Sequence, residues 1–123
     1  MCGFLLWVTS SGKGIDKELF TKSLAKAKHR GPDNTNILFS DLDYFPKENS
    51  NTDSFCNIAL GHNRLSLVDL SSFSNQPFID SITGEALLYN GEYYNFRNDF
   101  PNLKSDTQAI FNLIQKEGIN GLK

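Results

Sequence analysis

Little in this sequence pulls strongly in one direction. Charge of one sign is lacking: 12 Lys plus Arg stand against 14 Asp plus Glu, a net of −2, so no electrostatic grip on nucleic acid or an anionic membrane is expected. Long apolar runs are lacking too. The longest, Phe4-Leu5-Leu6-Trp7-Val8, is far short of the roughly 18 residues that span a bilayer. Only Met1, Cys2 and Gly3 precede it, which leaves no room for the basic stretch of a secretory signal. A cytoplasmic protein with no membrane partner is expected. Cysteine is scarce, and a cytosolic redox poise keeps Cys2 and Cys56 reduced. Together with His29 and His62 they lack the close pairing of a structural zinc site, so no metal is expected. No Gly-rich phosphate loop is present either, so this chain is expected to hold no nucleotide cofactor.

What remains is 123 residues with 39% hydrophobic and 12% aromatic content, 10 of them Phe. That suffices for one core and one domain, and leaves no space for a second catalytic domain. Residues 4–9 read as a strand buried on both faces. Leu19, Phe20, Leu24 and Ala27 then recur at helical spacing, with Asp16 placed to cap the first turn. Gly31-Pro32 must end that helix, because the residue before proline is driven out of the α region. Asn36 to Ser40 reads as a short strand, residues 41–53 as an exposed polar loop, and Cys56 to His62 as a second buried strand. Residues 71–77 form a loop. Glu85 to Tyr89 is a further strand, running into Asn90-Gly91, a pair associated with a tight turn of positive φ. Ser105-Asp106-Thr107-Gln108 fits a capping box ahead of a helix striped by Ala109, Ile110, Leu113 and Ile114 and closed by Gly118. The sum is an α+β domain without repeats.

Cys2 is the first residue that could carry chemistry. Removal of Met1, expected where the next side chain is small, would leave an N-terminal cysteine whose α-amine, with a pKa of roughly 7.7–8.0, can act as base for its own thiol. Nucleophile and base then sit in one residue. Taken alone, Cys2 reads first as a small buried side chain at the head of a strand, ahead of a nucleophile.

The wider pattern changes that reading. Met1-Cys2-Gly3-Phe4 is followed by His29-Arg30-Gly31-Pro32-Asp33, then by Gly61-His62-Asn63-Arg64-Leu65-Ser66-Leu67-Val68-Asp69. Tyr89-Asn90-Gly91-Glu92-Tyr93-Tyr94-Asn95 and Ser105-Asp106-Thr107-Gln108 come after. These blocks, in this order, resemble the class II glutamine amidotransferase domain, and within it the glutamine-hydrolysing asparagine synthetase type. The resemblance implies an N-terminal-nucleophile hydrolase αββα sandwich, matched here over residues 1–123 but truncated at its C-terminal end.

By that resemblance Cys2 attacks the side-chain amide carbon of L-glutamine, forms a glutamyl thioester and releases ammonia. Asn90 and the backbone N–H of Gly91 form the oxyanion hole, a neutral amide donor beside a residue that allows an unusual backbone angle and close approach. Arg64 takes the α-carboxylate, for which a planar guanidinium is suited, and Asp106 takes the α-ammonium. Leu65, Ser66, Leu67 and Val68 with Glu92 complete the pocket. Asp106 also suits the first turn of a helix simply as a helix-dipole partner.

His29 and His62 invite a Cys–His thiol hydrolase, a weaker reading. The family mechanism needs no histidine, and both are read as structural, His29 at a helix end and His62 at the end of an apolar strand. Cys56 reads as inert core, and Arg30 and Asp33 as braces around the Gly-Pro turn.

The resemblance also implies what this chain lacks: the later strands of the sandwich, and a synthetase domain using ATP and Mg²⁺ to activate aspartate. The chain is accordingly expected to be part of a longer protein, one piece of a split enzyme with an asparagine-synthetase partner, or a degenerate domain. The last of these is the alternative function, a non-catalytic glutamine-binding or assembly module. A homodimer is left open.

Overall fold

Strand alternation decides how the N-terminal half is built. In the computed structural model, which describes residues 1–10, 13–41, 56–67 and 70–122, strand β1 (Gly3–Val8) pairs antiparallel with β3 (Ile58–Arg64), and β3 pairs antiparallel with β2 (Asn34–Ser40). The sheet order is β1-β3-β2. The loop predicted over 41–53 lies outside the described residues apart from Asp41, and so does Val68.

Successive side chains point to opposite faces of a sheet. One face presents Leu5, Trp7, Ile37, Phe39 and Ala59 to helix α1 (Lys17–Ala25), whose Phe20 and Leu24 are fully buried. Phe20 is the centre of this layer, 6.4 Å from the Trp7 ring and 5.6 Å edge-on from Phe39. Cys56 packs into the same cluster as the inert core residue expected of it. Gly61 lies under the helix, where a side chain would strike Leu24 and Phe20. Asp16 caps α1 as its position predicts, accepting from the Leu19 N–H at 2.8 Å. The helix nevertheless ends earlier than Gly31. Ala25 is its last residue, and a 3-10 turn at Lys28–Arg30 carries the chain onward. Buried Asn63 ties this end down, donating to Leu24 O at 2.8 Å and accepting from Thr35 Oγ1 at 2.8 Å.

The other face is a correction to the strand expected to be buried on both sides. Phe4, Leu6 and Val8 are 49%, 54% and 51% exposed, because little among the described residues covers this part of the face. Farther across that face Leu38, Leu60 and His62 are buried. The rest of the chain adds a two-stranded antiparallel ribbon, β4 (Phe78–Ile79) with β5 (Ala86–Leu87), a short helix α2 (Phe96–Asp99), and α3 (Asp106–Glu117). Phe111 of α3 meets Phe78 edge-on with ring centres 5.0 Å apart. Gln115 Nε2 donates to Asp80 Oδ2 at 2.9 Å and Glu85 Oε2 at 2.7 Å. The architecture is mixed helix and sheet, as expected, and Gly118 closes α3 with φ of 63°.

Gly31 shows how tightly the loop after α1 is seated. A Cβ there would lie 2.2 Å from Asn63 O and 2.7 Å from the Arg64 carbonyl carbon, both backbone atoms of the central strand. Strand backbone cannot swing aside as a side chain can, so Gly31→Ala is expected to lower stability by about 1–3 kcal/mol. The urea midpoint should fall with an unchanged slope; a midpoint equal to that of the parent protein contradicts this packing.

Candidate active site

Because Gly3 pairs with Asn63, the next step along the same register sets Cys2 opposite Arg64, on the face away from α1. The contacts agree: the Leu65 N–H donates to Cys2 Sγ at 3.3 Å, and Sγ lies 3.8 Å from Leu65 O. Arg30 Nε donates to Cys2 O at 3.1 Å. Asp33 braces the other side, its N–H donating to Arg64 O at 3.0 Å and its Oδ2 accepting from Ser66 N at 2.7 Å. Arg30 and Asp33 thus act as the braces that the Gly-Pro turn suggested, holding both sides of the Cys2–Leu65 contact.

Cys2 opens onto a cavity of about 270 Å³, at the small end of ligand pockets. Arg64, Leu65, Leu67, Asn90, Gly91, Glu92 and Asp106 line it with Cys2. Ser66 faces Asp33 instead, and Val68 lies outside the described residues. Arg64 is buried, and its Nη1 donates to Ser71 O at 2.6 Å and Asn75 Oδ1 at 2.7 Å. Those contacts fix the plane of a group that carries five N–H donors. The lining therefore carries both signs of charge, the Arg64 guanidinium and the carboxylates of Glu92 and Asp106. The Tyr89 hydroxyl registers these carboxylates: burial, then Asp106 and Glu92, raise its pKa above the usual value.

Two local expectations are corrected. The Asn90-Gly91 pair is not a hairpin turn: β5 ends at Leu87, and the positive-φ glycine of the β4–β5 connection is Gly84, with φ of 79°. Gly91 has no positive φ, and a Cβ there would lie 2.7 Å from Tyr89 Oη and 2.8 Å from its ring, so the end of that side chain would have to shift. Nor does the capping box form. Ser105 is the N-cap, but its Oγ is buried without a hydrogen-bond partner among the described residues. Asp106 serves the helix start itself, Oδ1 accepting from Thr107 N at 2.7 Å, with Tyr93 N 3.5 Å from Oδ2.

His62, Ser74, Gln76, Tyr89 and Thr107 also line the cavity and were not read as site residues. His62 had a detectable signal, because it lies two residues before Arg64 and must share its face. Rather than ending its strand, it sits inside β3, 1% exposed, with neither ring nitrogen hydrogen-bonded among the described residues. Gln76 had no signal, since its contacts join distant segments, whereas Thr107 stood beside Asp106 in the Ser105 to Gln108 block. His29 is exposed, its ring Nδ1 3.0 Å from Lys26 O near the end of α1, in keeping with a structural role.

A family model described as "Glutamine amidotransferase domain" matches residues 1–123. The chain belongs to the glutamine amidotransferase domain family. Among curated relatives of this amidotransferase domain, an "Amidase chry2" of Gibberella zeae is 32% identical over 91% of this chain and 16% of its own length. A "Putative asparagine synthetase [glutamine-hydrolyzing] 2" of Methanocaldococcus jannaschii is 29% identical over 100% of the chain and 25% of its own. A "Probable asparagine synthetase [glutamine-hydrolyzing]" of Acanthamoeba polyphaga mimivirus is 29% identical over 97% and 21%. The amidotransferase domain thus spans a quarter or less of the length of these relatives. No solved structure matches it.

His62 gives the site a pH signature. Burial first, and the neighbouring Arg64 charge second, lower its pKa from 6.5 to about 4, outweighing the Tyr89 backbone, which acts the other way. Protons then bind the unfolded chain more readily than the folded one. His62 therefore contributes no pH dependence above pH 6.5, and stability falls as pH drops toward 4 and levels off below it. Denaturation midpoints measured from pH 7 to pH 5 should decline, and His62→Asn should flatten that slope; an unchanged slope in the variant contradicts the assignment.

Proposed function

We propose that this domain hydrolyses L-glutamine to glutamate and ammonia through a glutamyl thioester on Cys2. The observation that carries the reading is the convergence of Cys2, Arg64, Asn90, Gly91 and Asp106 on one cavity, which brings a guanidinium and a carboxylate to the same space. A zwitterionic amino acid needs both. Arg64 binds the α-carboxylate and Asp106 the α-ammonium, with Leu65, Leu67 and Glu92 enclosing the side chain.

The α-amine of Cys2 takes the thiol proton as sulfur attacks the amide carbon. The oxyanion is held by the Asn90 side-chain amide and the Gly91 N–H, donors aimed where charge develops. Collapse of the tetrahedral intermediate expels ammonia, which carries away the proton, and leaves the thioester. Water then attacks, glutamate departs and the thiol is restored. This sequence requires removal of Met1, since the Cys2 nitrogen is otherwise an amide without basicity. Met1 itself lines the cavity, so its departure also enlarges the space beside the sulfur.

The relatives named asparagine synthetase support the further reading that the ammonia is consumed in making asparagine from aspartate, in a synthetase domain that holds ATP and Mg²⁺ outside these residues. The finer fold, an N-terminal-nucleophile-hydrolase αββα sandwich, is supported by the half-exposed apolar face of Phe4, Leu6 and Val8, the kind of face that a second sheet covers.

A glutamine-mimicking electrophile should label Cys2 once and leave Cys56, 1% exposed, untouched, in a protein whose intact mass lacks Met1. Asn90→Ala should lower kcat about 100- to 1,000-fold. Label on Cys56, or retained Met1 in active protein, contradicts the mechanism. Glutamine binding by calorimetry without ammonia release selects the non-catalytic binding module instead.

A further inference from the structure

Two segments that line the cavity are joined by one side chain of its wall. Gln76 is 4% exposed and lies in the segment ahead of β4, far in sequence from the residues it touches. Its Oε1 accepts from the Tyr89 N–H at 2.5 Å, and its Nε2 donates to Thr107 Oγ1 at 3.4 Å. The Thr107 hydroxyl in turn donates to Asp106 Oδ1 at 3.5 Å, the same oxygen that accepts from Thr107 N. Tyr89 immediately precedes Asn90 and Gly91. A single amide thus spans the oxyanion segment on one side and the start of α3 with its carboxylate on the other.

We infer that Gln76 is a positioning residue that sets the distance between the oxyanion donors and the ammonium-binding carboxylate. The inference rests on the glutaminase reading of the site. Its physical basis is that β5 ends at Leu87, leaving Tyr89 to Glu92 without a strand partner, so the amide acts as the missing ladder partner for Tyr89 N–H. A buried backbone N–H deprived of its acceptor is costly, which gives the contact its hold on the following two residues. Only a primary amide of this length supplies an acceptor to one side and a donor to the other. Glutamate keeps the acceptor, but replaces the donor with negative charge on the Asp106 side.

The two halves of the contact predict different kinetic losses. In the full chain with Met1 removed, Gln76→Glu should raise KM for glutamine at least about tenfold, the equivalent of one lost hydrogen bond to a charged-group network, with kcat changed less than threefold. Gln76→Ala, which frees Tyr89 N–H as well, should lower kcat by tenfold or more in addition. Thr107→Val, which removes the hydroxyl relay and keeps the side-chain shape, should reproduce the KM effect alone and serves where Gln76→Glu does not fold. KM and kcat within twofold of the parent protein in folded Gln76→Glu, or in Thr107→Val, overturn the inference. So does an equal fall in kcat for all three variants with KM unmoved. Should the parent chain bind glutamine without releasing ammonia, the glutaminase reading fails by itself. The positioning role is then read from calorimetric affinity, with a tenfold loss in Gln76→Glu expected and unchanged affinity overturning it. A parent chain that neither binds nor hydrolyses glutamine overturns both.

Discussion

The register of β1 against β3 is the constraint from which the site follows. With Gly3 opposite Asn63, Cys2 arrives beside Arg64 and Leu65 on the face away from α1, while Asn63 turns to the other face and fastens the end of that helix. A slip of one residue would exchange the two faces. The sulfur would point at α1, and Asn63 would lose Leu24 O. The pairing is protected from such a slip by packing on the helix side, where Gly61 admits Phe20 and Leu24 and no larger residue fits without a clash. One layer of apolar contacts thereby aims a nucleophile candidate on the opposite layer.

The remaining half of the site is assembled by longer-range contacts. Arg64 is steadied by the 71–75 segment through Ser71 O and Asn75 Oδ1, Gln76 reaches Tyr89 and Thr107, and Asp106 begins α3. The chain from Ser71 to Gln76 therefore touches both Arg64 and, through Thr107, the start of α3. The zwitterion proposed as substrate would be read by the buried Arg64 guanidinium and the Asp106 carboxylate, which the net charge of the protein does not report.

Local signals in the sequence were legible where a residue's role is decided by its neighbours in the chain. Asp16 at the start of α1, Gly118 at the end of α3 and Cys56 in the core all behave as their local patterns predict. The linear blocks also identified most of the residues around the cavity. Features that depend on the edges and covers of the fold were not legible. The exposure of Phe4, Leu6 and Val8 reflects how little covers that part of the sheet face among the described residues, which no period within the strand reports. The capping box failed because Ser105 Oγ is buried away from the helix start it would have capped. Gln76 stands in an unremarkable polar loop, and its contacts join segments 13 and 31 residues away. Asn90-Gly91 has the composition of a hairpin turn, yet its glycine has no positive φ and lies against the end of the Tyr89 side chain.

Across these contacts the central claim is covalent chemistry at Cys2. Acid quenching within milliseconds to seconds of mixing with isotopically labelled glutamine, followed by mapping of the labelled peptide, tests it most directly. The account predicts a glutamyl group on the N-terminal Cys2 that forms with the first turnover and decays as glutamate appears. Ammonia released at the same rate with no label on Cys2 at any quench time would contradict it.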